Sequence, residues 1–295
     1  MPAFIRGSLA LLLISLNTLA HVAVLFPVAV LKLLLPPARP MLSSWLVRIA
    51  ESWIAVNSAL MEGLARTRVE VDGLEGLRHE GWYLVLANHQ SWVDIPVLQK
   101  VFNRRIPFLK FFLKRELIWV PVLGLAWWAL DFPFMRRLTK SQLARNPALR
   151  GKDMEITRRA CERFRVLPVS VMNFVEGTRF TEAKHSAQGG AYRHLLKPKA
   201  GGVSFVLGAM GDMLQSVVDV TIAYPGGRPT VWQLLSGRVR QVRVKVRQRP
   251  IPTDLVGDYA SDPELRKRTQ AWMNGLWADK DADLEALLSR AGGAR

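Results

Sequence analysis

The longest apolar segment of the chain lies near its amino terminus. From Gly7 to Leu31 there is no Asp, Glu, Lys or Arg, and as an α-helix this run would be about 37 Å long, enough to cross a bilayer core of about 30 Å. A cleaved signal peptide is the weaker interpretation, because apolar residues continue as far as Leu35. Pro27 is compatible with a kinked spanning helix and with a re-entrant hairpin. We therefore expect residues 1–40 to form a membrane anchor and a proline-stiffened linker.

Apolar residues return with helical spacing after the prolines. They recur every three or four positions, which predicts an amphipathic connecting helix within residues 41–68. The residues with this spacing are Trp45, Ile49, Trp53, Val56 and Leu60. Their face would lie either at the membrane interface or over the core of the domain that follows.

From Val69 onward, short apolar runs alternate with helical patterns, which is typical of an α/β domain. The candidate strands are residues 82–88, 169–176, 217–224 and 242–248. The first three are almost continuously apolar, as in central strands covered on both faces. The candidate helices are residues 94–103, 139–146, 152–165, 201–210 and 262–278. The sequence thus predicts an α/β fold with a mixed central sheet flanked by helices over residues 69–295, preceded by the membrane-anchoring helical segment.

Two further segments are ambiguous from their pattern alone. Residues 116–134 are apolar but broken by proline and glycine, which favours a buried or interfacial segment over a second membrane crossing. Residues 238–249 are basic without any acid, and their alternation places Arg243, Lys245 and Arg247 on one strand face. That strand is either a solvated edge strand or a surface attracted to anionic headgroups or to an acidic acyl donor.

The charge and the composition narrow the class of partner. Lys and Arg exceed Asp and Glu by 41 to 24, a net charge of +17, which implies nucleic acid, a phosphate-bearing substrate or an acidic lipid surface. A hydrophobic content of 49% with ten Trp favours the lipid surface. Lys32, Arg39 and Arg48 follow the apolar segment, whereas only Arg6 and the amino terminus precede it, which favours a domain in the cytoplasm. We expect the membrane to be the inner membrane of a bacterium.

The first polar cluster follows the candidate strand 82–88, in the stretch LANHQSWVDIP. Side chains on a strand-to-helix loop lie at the carboxyl edge of the sheet, where α/β proteins usually bind ligands. His89 is suited to removing a proton near neutral pH, and a carboxylate beside one ring nitrogen would fix its tautomer. Asp94 would either supply that carboxylate or cap the following helix. Ser91 is poorly placed to complete a triad, and the chain has no G-x-S-x-G elbow.

The second polar cluster, FVEGTRF, follows the candidate strand 169–176. Gly177 permits a tight turn, from which Thr178 and Arg179 emerge. An arginine offers a planar, bidentate set of donors for phosphate oxygens, assisted here by a hydroxyl and by turn amides. From these residues alone, a polar turn with a solvated arginine is the alternative.

The ordered segments resemble the signature blocks of the glycerolipid acyltransferases, the 1-acylglycerol-3-phosphate acyltransferase family. NHQSWVD at 88–94 and FVEGTRF at 174–180 resemble the first and third blocks, in the family's order and at a comparable separation. LDFPFMRR at 130–137 is similar to the second block, although it departs from the commoner glycine-containing form. VTIAYPGG at 220–227 is similar to the fourth. LLKPKAGG at 195–202 is similar to a basic segment of a lysophospholipid-acyltransferase branch.

This resemblance, which runs from Val69 to Tyr224, implies a membrane-bound acyltransferase. The acyl group would pass from acyl-coenzyme A or acyl-carrier protein to the free hydroxyl of a lysophospholipid, foremost 1-acylglycerol-3-phosphate. His89 would be the general base and Asp94 its orienting carboxylate, with no covalent intermediate, no metal and no cofactor besides the acyl donor. The implied substrate-binding residues are Asn88, Arg136, Glu176, Gly177, Thr178, Arg179, Lys199 and Pro225. Among them, the arginines would hold the acceptor phosphate, Pro225 would shape the pocket, and Lys199 would lie on the phosphate or acyl-carrier side.

Other functions account for parts of the pattern. Glycerol-3-phosphate, lysophosphatidylglycerol and other lysophospholipids are alternative acceptors for the same reaction. With water as the acceptor, the protein would be a thioesterase. A non-catalytic, membrane-tethered basic protein would explain the charge and the anchor but not the ordered blocks. We therefore expect membrane lipids, a lysophospholipid and an acyl donor as partners, and no nucleic acid.

Overall fold

The computed structural model describes residues 1–135, 162, 164, 167–259 and 261–290. The expected helix at 139–146, most of that at 152–165, and Arg136 lie outside these residues. The helices of the described part are α1 (Ala3–Leu34), α2 (Arg39–Gly63), α3 (Asp94–Phe102), α4 (Leu123–Ala129), α5 (Glu182–Ala187), α6 (Gly201–Met210), α7 (Val231–Leu235) and α8 (Pro263–Ser289). Short 3₁₀ helices span Pro36–Ala38, Arg115–Trp119 and Thr253–Leu255. The strands are β1 (Arg68–Asp72), β2 (Tyr83–Ala87), β3 (Leu109–Phe111), β4 (Leu113–Lys114), β5 (Phe134–Met135), β6 (Ser170–Phe174), β7 (Ser216–Ala223) and β8 (Gln241–Arg249).

A six-stranded sheet in the order β1-β8-β7-β2-β6-β3 forms the centre of the domain. All neighbours are parallel except β7 and β8, which are antiparallel, so the predicted mixed α/β sheet is confirmed. The β4 and β5 strands pair separately.

Both faces of the sheet are covered, which explains why β2 is apolar at every position. Leu84 and Leu86 point into a core shared with α6 and α8, whereas Tyr83, Val85 and Ala87 point into a core shared with α3. Alternate side chains of a strand face opposite sides, so a strand between two layers needs apolar residues on both.

The basic strand β8 is not an edge strand, because β1 pairs along its outer side. Its charged face is not free for headgroups either. Lys245 and Arg247 both form ion pairs with Asp283 of α8, and the buried Arg243 donates to the carbonyl oxygen of Leu287. Both expectations for this face are therefore wrong, since a helix with acidic side chains covers it.

The apolar helix α1 packs along α2 through polar as well as apolar contacts. The Asn17 side-chain amide donates to the Trp53 carbonyl oxygen at 3.1 Å and to Asn57 at 2.9 Å. The Trp53 indole in turn donates to Thr18 at 3.0 Å. These contacts give a partner to the polar residues inside the apolar run.

Both ends of α1 also contact the α/β domain. Near its start, the Phe4 and Trp232 ring centroids lie 6.0 Å apart, and Trp232 is part of α7. Near its end, Lys32 forms an ion pair with Asp131 and contacts the Ala129 carbonyl oxygen of α4. Within the described residues, α1 is the one helix long and apolar enough to cross a membrane, so no second crossing is found at residues 116–134.

Candidate active site

Three strand ends meet at one edge of the sheet. β2 is parallel to both of its neighbours, β6 and β7, so the loops that follow the three strands start on the same side. Asn88, the first residue after β2, is fully buried and pairs with the β7 backbone. Its amide donates to the Ile222 carbonyl oxygen at 2.9 Å and accepts from the Ile222 N–H at 2.8 Å. This pair fixes the start of the loop against β7.

Asp94 is the first residue of α3, and its carboxylate turns back towards the preceding loop. Its Oδ2 lies 2.8 Å from His89 Nδ1 and accepts from the backbone amides of Gln90 at 2.7 Å and Ser91 at 2.9 Å. The helix has Val93 at its N-cap position, with no side-chain cap among the described contacts. Orientation of the histidine, and not capping, is therefore what this carboxylate does.

The His89 ring is held by an aromatic side chain as well as by Asp94, and one of its two nitrogens makes no hydrogen bond within the described residues. It stacks on Phe174, the last residue of β6, with ring centroids 3.9 Å apart and planes 13° apart. Because a carboxylate only accepts hydrogen bonds, we assign the proton to Nδ1, which leaves the lone pair on Nε2. Among the described residues Nε2 has no hydrogen-bond partner, so its lone pair is free to accept a proton.

Tyr224 completes the surroundings of Asp94 from the end of β7. Its hydroxyl donates to Asp94 Oδ1 at 2.6 Å. Burial, and then the negative charge of Asp94, raises the pKa of Tyr224 well above its ordinary value, so the hydroxyl stays a neutral donor. Sequence reasoning missed this residue, although it ends the candidate strand 217–224.

Ser91 has a structural role in the same loop. Its hydroxyl donates to the Pro229 carbonyl oxygen at 2.5 Å and accepts from the Val93 N–H at 3.0 Å. Both contacts are with backbone groups, so the hydroxyl joins two loops together.

Glu176 lies fully buried at the end of the neighbouring strand. Burial raises the pKa of its carboxyl group to about 8, and the Asp94 charge adds to this rise, while the His89 backbone amide and Lys280 oppose it. Neither carboxyl oxygen has a partner with full hydrogen-bond geometry in the described part of the chain. At neutral pH this group is therefore mostly a protonated, uncharged donor.

The turn after Glu176 brings an arginine to the surface beside the loop of His89. Gly177 has φ +70°, a conformation that suits glycine. Thr178 accepts a hydrogen bond from Lys184 at 2.7 Å. The exposed Arg179 guanidinium lies 4.6 Å from the Trp92 ring, and no carboxylate of the described residues forms an ion pair with it. It is thus a stacked cation with free donors.

Two of the remaining predicted site residues border this region. A Cβ on Gly177 would lie 3.2 Å from the Lys199 ammonium, which places Lys199 beside the turn. Pro225 is exposed directly after Tyr224, at the same sheet edge. Arg136 lies outside the described residues.

Comparison with known families defines the class of protein to which this fold and this site belong. A model of the Acyltransferase family matches residues 68–225, which is more than half of the 295 residues. The chain therefore belongs to that family, within the glycerolipid acyltransferase superfamily, whose members are O-acyltransferases. This membership argues against the non-catalytic alternative.

Named relatives make the comparison more specific. The chain is 26% identical over 213 residues to the mouse 1-acyl-sn-glycerol-3-phosphate acyltransferase delta, covering 68% of this chain and 51% of the relative. It is 28% identical over 271 residues to the zebrafish lysocardiolipin acyltransferase 1, covering 86% of this chain and 64% of the relative. It thus spans about half to two thirds of the length of these relatives.

A solved structure shares the fold along nearly the whole chain. The crystal structure of the 1-acyl-sn-glycerophosphate acyltransferase PlsC from Thermotoga maritima matches with a TM-score of 0.58. The match covers 98% of this chain and 99% of that chain, at 19% sequence identity. At that identity the match supports the fold alone.

Proposed function

We propose that this protein transfers a fatty acyl group from a thioester donor to the free hydroxyl of a lysophospholipid, most simply 1-acylglycerol-3-phosphate. The observation that carries the proposal is the His89–Asp94 pair at the sheet edge, whose Nε2 has no partner among the described residues, together with Arg179, which stacks on Trp92 of the same loop. Acyl-coenzyme A or acyl-carrier protein is the donor, and the reaction needs neither a metal nor another cofactor.

The proposed reaction is a direct displacement. His89 Nε2 takes the proton of the acceptor hydroxyl while that oxygen attacks the thioester carbon. The tetrahedral intermediate then collapses and its carbon–sulfur bond breaks. The departing thiolate takes from Nε2 the proton that came from the acceptor hydroxyl. Asp94 holds the ring and stabilises the imidazolium between these two steps, and Tyr224 holds Asp94.

The remaining site residues are proposed to bind the acceptor or to shape its site. Arg179 binds the acceptor phosphate, with Arg136 as a second contact. Asn88, Glu176, Gly177, Thr178 and Pro225 shape the site around the dyad. Lys199, whose ammonium lies beside the turn at Gly177, serves the phosphate or the carrier.

A bulkier acceptor is the second candidate, favoured by one of the named relatives. The zebrafish relative is named for lysocardiolipin, and that match extends over 86% of the residues. Lysocardiolipin or lysophosphatidylglycerol would use the same dyad and the same attack, so only the headgroup differs.

We also propose that α1 lies along the membrane surface and does not cross the bilayer. A helix of this length extends for about 48 Å, yet it contacts the catalytic domain near both of its ends. Its exposed leucines and phenylalanines would then enter one leaflet beside the active site, where lysophospholipids reside. The membrane is the bacterial inner membrane, with the domain in the cytoplasm. The membrane anchor is residues 1–40, the connecting helix lies within residues 41–68, and the catalytic domain is residues 69–295.

The experiment that tests the proposal is acyl transfer from oleoyl-coenzyme A by membranes that contain the protein. Lysophosphatidate, lysophosphatidylglycerol and monolysocardiolipin are offered in parallel, and His89→Ala is the matched control. We expect the wild type to acylate at least one lipid and His89→Ala to be slower by about 10²- to 10⁴-fold, the usual contribution of a general base. A His89→Ala protein with near-normal rates would contradict the general-base role, and the absence of transfer with coenzyme A and acyl-carrier-protein donors would contradict the activity.

A further inference from the structure

A cavity of about 190 Å³ lies beside the dyad, between the end of β7 and α8. Its lining includes Tyr224, the α8 residues Leu284 and Leu288, the polar side chains of Gln90 and His194, and the exposed Arg228. Apolar side chains beside an exposed cation suit a ligand that has both an anionic group and an apolar portion. The proposed mechanism leaves this cavity unused.

The walls of the cavity are connected directly to the dyad. Tyr224 donates to Asp94, and the backbone amide of Gln90, the residue after His89, donates to the same carboxylate. A ligand in the cavity would therefore contact two residues that hold Asp94 in place.

Arg228 is held in a fixed position at the cavity. Its Nε donates to the Gln90 side-chain oxygen at 2.7 Å, and its guanidinium lies 3.7 Å from the centre of the Phe180 ring. The Phe180 N–H in turn donates to the His89 carbonyl oxygen at 2.8 Å. Three loops thus position one cation relative to the general base, and such pre-organisation reduces the entropy lost on binding.

The carboxylate that pairs with Arg228 is exposed to solvent. Its Nη1 pairs with Glu182 at 2.7 Å, but the Glu182 side chain is 76% exposed. Exposed ion pairs contribute little to stability, so a phosphate group can replace this carboxylate. The second terminal nitrogen of Arg228 has no partner among the described residues.

We propose that this cavity is a second phosphate subsite, in which Arg228 binds a phosphate other than the one assigned to Arg179. The inference rests on the acyl transfer proposed above. That phosphate belongs either to the phosphopantetheine arm of the donor or to the second phosphate of a two-phosphate headgroup, as in monolysocardiolipin. The chemistry required of the site is the same, and the two sources give different kinetic results.

The kinetic test compares Arg228→Gln, Glu182→Gln and Arg240→Gln, the last being an exposed arginine remote from the cavity and a matched control. We expect Arg228→Gln to raise one KM by about tenfold, as for loss of a charge-assisted hydrogen bond, while kcat changes little. A raised KM for acyl-coenzyme A assigns the donor, and a raised KM for monolysocardiolipin but not for lysophosphatidate assigns the headgroup. Glu182→Gln should lower the same KM, because it removes the competing carboxylate, and this opposite sign is not expected of a merely structural contact. Unchanged KM values for all substrates in Arg228→Gln would overturn the subsite.

A binding measurement separates this inference from the proposed activity. Calorimetry on the purified full chain uses coenzyme A and, as a soluble headgroup probe, glycerophosphoglycerophosphoglycerol. Binding of either probe that Arg228→Gln weakens by about tenfold supports the subsite, even if the wild type transfers no acyl group. Binding of neither probe, or equal binding to the wild type and to Arg228→Gln, would overturn it.

Discussion

The surroundings of Glu176 oppose the ionisation of its carboxyl group, so the stability of the folded protein should depend on pH. Its pKa is about 8 in the folded chain and 4.5 as a free side chain. Between these values the folded state holds one proton that the unfolded state has released, so stability falls as pH rises. The expected slope is roughly 1.4 kcal/mol per pH unit at most, and it disappears above the folded pKa.

Glu176→Gln should remove this contribution, because an amide does not ionise. We expect the free energy of unfolding of the wild type to decrease from pH 5 to pH 8 relative to the variant. Denaturant unfolding of the detergent-solubilised proteins at several pH values measures the difference. Parallel pH dependences of the two proteins would show that the carboxyl group does not carry a raised pKa.

Arg179 should affect affinity for the acceptor more than the rate of chemistry. Arg179→Ala removes a stacked guanidinium with free donors, and a hydrogen bond to a charged group contributes about 1.5–3 kcal/mol, or roughly 10- to 100-fold in KM. Arg238→Ala, at another exposed arginine, is the control and should leave KM unchanged. Steady-state kinetics with varied lysophosphatidate decides the matter, and an unaltered acceptor KM would remove Arg179 from the phosphate site.

Sequence spacing could predict the contacts of the site that are local, but not those that cross the sheet. His89 and Asp94 are five residues apart, so a loop leading into a helix can bring them together without help from the rest of the chain. Tyr224 contacts the same carboxylate from 130 residues away. Phe174, whose ring stacks on His89, comes from a third strand. Such contacts depend on the strand order, which the sequence pattern does not specify.

At the scale of elements, α8 forms a charged interface with the neighbouring strands β7 and β8 inside the domain. Lys280 of α8 is completely buried, pairs with Asp219 of β7 and donates to the Val220 carbonyl oxygen at 2.6 Å. Burial lowers the pKa of Lys280, and the charge of Asp219 offsets part of this effect. Arg249 of β8 approaches the same carboxylate at 3.3 Å. The helix therefore attaches to the sheet through ion pairs as well as through its apolar face.

Breaking this buried pair should destabilise the protein. Lys280→Met leaves the Asp219 carboxylate with Arg249 as its remaining cation, and we expect a loss of about 3 kcal/mol, as is usual when one partner of a buried ion pair is removed. Lys267→Met, on the exposed face of the same helix, should cost less than about 1 kcal/mol. Thermal unfolding compares the two. Asp219→Asn in the Lys280→Met background should recover part of the loss, and equal melting temperatures for the two single variants would contradict the prediction.

The interpretation of β8 from its sequence was wrong for a physical reason. Alternating basic residues predict correctly that Arg243, Lys245 and Arg247 share a face, because a strand has a period of two. Alternation does not identify what covers that face. The acids that do so belong to α8, more than 30 residues further along the chain, and the expected helix at 262–278 ended before Asp279 and Asp283.

For the whole molecule, the placement of α1 determines how the catalytic domain meets the bilayer. If the helix lies along the surface, both of its ends are on the same side of the membrane. The sequence has one cysteine, Cys161, which is replaced by serine in every variant so that only the introduced thiol reacts. Pro2→Cys and Arg39→Cys should then react with an impermeant maleimide on the same side as Ser261→Cys of the catalytic domain. Labelling of sealed vesicles of both orientations tests this. Reaction of Pro2→Cys and Arg39→Cys from opposite sides would show that α1 crosses the bilayer.

The interface between β8 and α8 also has a consequence during synthesis. A ribosome releases α1 before the strands of the sheet, so this helix can reach the lipid while they are still being translated. Lys245 and Arg247 of β8 emerge next, but their carboxylate partner Asp283 arrives only with residues 263–289. These two cations therefore lack their carboxylate until the C-terminal helix has left the exit tunnel, so the domain completes this interface after α1 has become accessible to the bilayer.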